Sequence, residues 1–152
     1  MKKILKISIA GMICSLFIFG AISVSAVVEG EPGGLTPGFW KNLRKHGIYW
    51  TDYDPEDMIG DVFTLPAELD SLDVSLLDAL KFGGGKDAIG MARCLLRAAV
   101  AAILNDAHPD FEYQYEGIII DDVNDALASL DRNTMEDLKD MLDEANNYGF
   151  EF

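Results

Sequence analysis

In the second half of the chain, apolar residues recur at spacings of three and four, a rhythm that predicts helices. Ile120, Val123, Leu127 and Leu130 form one stripe along a helix from Ile118 to Leu130. Asn133 with Glu136 offers a capping box for a last helix from Thr134 to about Asn147. Met135, Leu138, Met141, Leu142 and Ala145 make its buried side, and Gly149 is a suitable left-handed stop. Between Ala88 and Asn105 apolar residues lie nearly all round, with only Arg93 and Arg97 charged. That pattern predicts a central buried helix, capped by Asp87. A shorter helix from Val74 to about Phe82, capped by Asp73, presents Val74, Leu77 and Leu80 on one face and breaks at Gly83-Gly84-Gly85. Thr36-Pro37 opens a helix that carries Phe39, Trp40 and Leu43 and stops near Gly47. Residues 48–70 read as irregular, and 110–116 as a connector holding at most one extended piece. The expected fold is all-α, a small single-domain bundle of about five helices. Its fourth and fifth helices pack on the central third, and its N-terminal third is irregular. The helical domain spans 36–152, after a flexible Gly-rich lead-in at 27–35.

The first 26 residues follow another pattern. Lys2, Lys3 and Lys6 precede an apolar stretch from Ile7 to Ile22, and Val24-Ser25-Ala26 supplies the −3 and −1 residues of a cleavage site. Residues 1–26 are expected to be a secretory signal peptide. The alternative is a retained anchor, because the uncharged run from Ile7 to Val28 is just long enough to span a bilayer. Losing the leader takes the formal net charge from −14 to −17 and leaves 126 of 152 residues. So acidic a chain repels nucleic acid and anionic lipid, and it suits basic partners or divalent cations. No nucleic-acid partner is expected, and no membrane partner after leader cleavage. Cys14 departs with the leader, leaving Cys94 alone and excluding an internal disulfide framework.

Three blocks of residues follow one order: Leu35 to Asn42 (LTPGFWKN), Leu76 to Gly85 with Leu95 to Asn105 (LLDALKFGGG and LLRAAVAAILN), and Val123 to Gly149 (VNDALASLDRNTMEDLKDMLDEANNYG). In this the chain resembles an uncharacterised family of prokaryotic exported proteins. That family has a TPGFWKN or TPGYWKN opening, an LLRAAVAALLN-type helix and a VN-AL…DR-TM…LD-NN-G tail. The resemblance implies one compact domain at the cell surface or within larger surface proteins, and it carries over no catalytic residue. Two positions depart from the pattern. Leu43 stands where relatives commonly have His, and Phe150 stands where many have Cys.

The residues themselves assign no catalysis. His46, His108 and Cys94 lack the close spacing of a zinc site. Around Gly83-Gly84-Gly85-Lys86 the phosphate-loop pattern fails, since Leu80 replaces its first Gly and Asp87 its Ser or Thr. His108, before Pro109, reads as a cation at a helix end. Arg93 and Arg97 share one helical stripe and are expected to pair with Asp78 or with Asp121, Asp122 or Asp125.

Two constellations remain. Asp52, Asp54, Glu56 and Asp57 are spaced as the start of a calcium loop, although the turn glycine is missing and Phe63 stands where the bidentate Glu belongs. They are candidate Ca2+ ligands. Phe39, Trp40, Tyr49, Trp50 and Tyr53 cluster, with Trp40 expected in the core and Tyr49, Trp50 and Tyr53 as candidate ligand-binding residues, since flat aromatic faces stack on sugars and anchor protein interfaces. The expected function is a non-catalytic extracellular or cell-surface domain, a matrix or adhesion-type module binding extracellular protein or polysaccharide. The alternatives are a small secreted hydrolase using a carboxylate pair and a calcium-stabilised surface domain.

Overall fold

The computed structural model describes residues 31–42 and 49–149. The leader, the start of the lead-in, the stretch holding Leu43, His46 and Gly47, and Phe150 lie outside the described residues.

The protein is all-α. A two-residue strand β1 (Glu31–Pro32) is followed by α1 (Pro37–Trp40), α2 (Ile59–Val62), a 3-10 helix (Ala67–Leu72) and α3 (Leu76–Ala79). Then come α4 (Ala88–Ala107), strand β2 (Phe111–Glu112), α5 (Ile119–Ser129) and α6 (Arg132–Asn147). As its all-round apolarity predicts, α4 is the central helix. Asp87 caps it by accepting the Gly90 N–H at 2.7 Å, and α6 and then α5 pack against it. Ala98, Ala99, Ala101 and Ala102 are buried along it, and such small side chains let neighbouring helices approach closely. By length and composition α4 could cross a membrane, yet most of it is buried inside the protein.

Two caps differ from the sequence reading. Asp73 does not cap α3. Its carboxylate accepts the Gly60 N–H at the start of α2, while the Val74 carbonyl accepts from Ile59. With Val74 so engaged, the helix begins only after Ser75, whose hydroxyl accepts the Asp78 N–H at 3.2 Å. Asn133 and Glu136 form no capping box. Leu130 takes a left-handed conformation, φ 50°, which ends α5 and brings Asp131 into the cap position two residues earlier. Asp131 accepts from the Thr134 N–H and hydroxyl at 2.8 and 2.9 Å, and these bonds hold its carboxyl below the usual range. Glu136 pairs with Arg132 instead. The irregular stretch 48–70 contains α2 and most of the 3-10 helix, elements too short for periodicity to reveal. Gly149 is left-handed, φ 71°, as read.

The lead-in is not loose where it is described. β1 pairs in parallel with β2, Glu31 opposite Phe111, and the Gly34 N–H donates to the Tyr148 carbonyl at 3.0 Å. Gly34 and Leu35 are buried.

A polar hub joins these parts. Asn105, fully buried, accepts from the Leu35 N–H at 2.7 Å and from Trp40 Nε1 at 3.0 Å. Its amide donates to the Leu35 carbonyl at 3.0 Å and to Asn146 Oδ1 at 2.9 Å. Asn146, also fully buried, accepts from the Tyr113 hydroxyl and donates to the Ala98 carbonyl. The opening segment, α4, α6 and the connector after β2 thus meet in one satisfied network, the condition under which buried polar groups stabilise a fold.

Candidate functional site

Tyr49, Trp50 and Tyr53 differ in exposure. Tyr49 is 73% exposed and lies 6.4 Å, ring to ring, from His108. Trp50 and Tyr53 are half-buried against the core. The indole N–H of Trp50 is buried and meets no acceptor among the described residues. Burial, with help from Asp106 and Asp52, pushes the Tyr53 hydroxyl pKa up. Trp40 is core, as expected.

His108 stands at the C-terminal end of α4, as read, but is not exposed there. Its ring is buried beside Trp40 and Phe111, centroids 5.9 and 4.9 Å away, and its Nδ1 accepts the Asp110 N–H at 3.3 Å. The arginine stripe also differs from expectation. Among the described residues neither Arg93 nor Arg97 forms an ion pair; Asp78 pairs with Lys81 at 2.7 Å, and Asp122 takes a tyrosine hydroxyl. Arg97 Nη1 donates to the Phe82 carbonyl at 3.2 Å, securing the chain before the glycine break. Half-buried Cys94 is unbridged.

The acidic loop holds itself together. Asp57 accepts the Asp54 N–H at 2.8 Å and Asp54 accepts the Glu56 N–H at 3.0 Å. Asp52 and Glu56 are exposed. Among the described residues no group of three or more His, Cys, Asp or Glu side chains is arranged to hold a metal ion.

A concavity of about 830 Å³ lies elsewhere, between α5, α6 and the connector Gln114–Gly117. Ala126, Leu138 and Ala145 give it an apolar floor, and Met141 and Tyr148 stand over it, each more than half exposed. Met141, which periodicity places on the buried side of the last helix, is therefore surface. Glu116, Asp122, Asp125 and Glu144 line the same space, and among the described residues the lining includes no Lys, Arg or His. Tyr115 latches the connector to α5: its hydroxyl donates to Asp122 Oδ2 at 2.7 Å. Gly117 permits this approach, because a Cβ there would collide with the Asp122 carboxylate and the Tyr115 ring.

Burial and the Asp122 carboxylate push the Tyr115 pKa up to about 12. A pKa raised on folding makes the latch contribute fully below the ordinary value of 10 and lose its contribution as pH climbs towards 12. The urea midpoint of the wild type should therefore exceed that of Tyr115→Phe at pH 8 by more than at pH 11. A gap independent of pH would remove the latch.

A smaller recess of about 330 Å³ gathers Lys41, Lys81, Arg97 and Asp143, but Lys81 and Asp143 already pair with Asp78 and Lys139. The cleft residues escape sequence reasoning because they come from three segments. Their one visible signal is an apolar stripe on the last helix that is a residue wider than its packing uses.

Comparison with protein-family models, curated proteins and solved structures finds no match.

Proposed function

We propose that the chain is a non-catalytic exported binding module, a surface, matrix or adhesion-type component, with the α5–α6 cleft as its binding face for extracellular protein or polysaccharide. One observation carries this reading. The cleft exposes Met141 and Tyr148 beside four carboxylates, of which Asp122 alone is engaged among the described residues, by Tyr115, and this combination of apolar, aromatic and hydrogen-bonding surface is one that ligand sites employ. Export rests on the Met1–Ala26 leader pattern, and the surface setting on the resemblance carried by LTPGFWKN and the tail. This moves the binding face away from Tyr49, Trp50 and Tyr53, two of which are half-buried in packing.

The test is capture. Protein recovered from the producing cells, immobilised and exposed to the same cells' envelope and secreted material, should retain specific partners. Tyr148→Ser combined with Met141→Ser should lose them, while Tyr49→Ala should not. Equal retention by the cleft variant would overturn the assignment of the face, and no retention by any form would overturn the binding reading itself.

A further inference from the structure

Resting on that reading, we infer that the cleft takes a cationic segment of another protein, with lysine or arginine side chains laid along its floor. Elsewhere in the domain several acids meet a cation: Asp78 meets Lys81, Glu136 meets Arg132, and Asp140 and Asp143 meet Lys139. Glu116, Asp122, Asp125 and Glu144 form no ion pair among the described residues, yet all four converge on one concavity. Like charges gathered in a recess with apolar walls focus a negative potential, and the acidic chain around them reinforces it. A neutral sugar would gain nothing from that potential. An anionic ligand would be repelled.

The rest of the cleft fits a long basic side chain from base to tip. Leu138, Met141 and Ala126 offer apolar surface to the methylene stem. Tyr115 and Tyr148 place two aromatic rings in the lining, and such rings attract an ammonium or guanidinium group. Asp125 and Glu144, both exposed on helices, stand at the rim where the charged tip would arrive. A volume of about 830 Å³ holds several such side chains, so a segment is favoured over a single amine.

A labelled short peptide of alternating lysine and alanine, titrated by anisotropy against the intact protein at physiological salt, tests this directly. Its counterpart with glutamine for lysine should not bind. Asp125→Asn with Glu144→Gln should weaken the lysine peptide by about tenfold or more, equivalent to about 1.4 kcal/mol. These side chains make no hydrogen bond among the described residues, and an unaltered melting curve verifies the variant's structure. Glu68→Gln with Asp70→Asn removes the same charge from the exposed 3-10 helix and should change affinity by less than about twofold. Failure of the lysine peptide to bind, or equal weakening by both double variants, overturns the inference. If capture from envelope material is still lost in the Tyr148 and Met141 variant while the lysine peptide does not bind, the module stands and its ligand is uncharged.

Discussion

Replacing Asn105 with leucine is expected to cost about 3–5 kcal/mol, a large share of the stability of a domain this size. Leucine matches the volume but strands two buried donors, the Leu35 N–H and Trp40 Nε1, together with the Leu35 carbonyl. Each unsatisfied buried group costs about 1–3 kcal/mol. Asn146 keeps its bond from Tyr113, which bounds the damage. The urea midpoint should fall steeply with little change in slope. Trp40→Phe removes one donor and strands nothing, since Asn105 Oδ1 still accepts from Leu35, so it should cost less than half as much. Comparable losses in the two variants would mean that packing around Trp40, rather than the amide, holds the opening segment.

Gly34→Ala should be nearly as damaging. A Cβ at Gly34 would sit 2.7 Å from the Ala145 carbonyl and 3.1 Å from Asn146 Cα, both backbone atoms of α6. A helix backbone cannot yield as a flexible side chain does, so the opening segment must lift. Lifting it strains the Gly34–Tyr148 bond and the hub together, and a loss of about 2–4 kcal/mol follows, within the range of overpacking and broken networks. The same substitution at an exposed loop glycine would stabilise, if it did anything. Because Gly34 and Asn105 act on one joint, Gly34→Ala with Asn105→Leu should cost clearly less than the sum of the single changes. Additive losses would show two independent anchors.

These two residues also mark where sequence reasoning stops. Local signals located what local forces make. The all-round apolarity from Ala88 identified the central helix, Asp87 its cap and Gly149 the final turn. Where two capping residues stood close together, the choice depended on conformations that propensity does not announce: Asp73 is drawn to Gly60, and Asp131 gains its position from the left-handed turn at the adjacent Leu130. Asn105 reads as the polar end of an apolar helix, and nothing near it announces partners at Leu35, Trp40 and Asn146. The cleft was illegible for the same reason. Tyr115, Asp125 and Met141 are unremarkable on their own elements and acquire meaning only when α5, α6 and the connector converge. Of the aromatic cluster conspicuous in the sequence, Trp50 and Tyr53 are half-buried against the core and Tyr49 is exposed.

The bond from Gly34 to the Tyr148 carbonyl puts the entry and exit of the described domain side by side. Tension applied through the two ends would thus open that junction bond by bond, as a zipper opens, without being carried along the length of α4. Joined at both ends to a longer chain, the domain would hang from it as a side loop, adding little to the contour of its host.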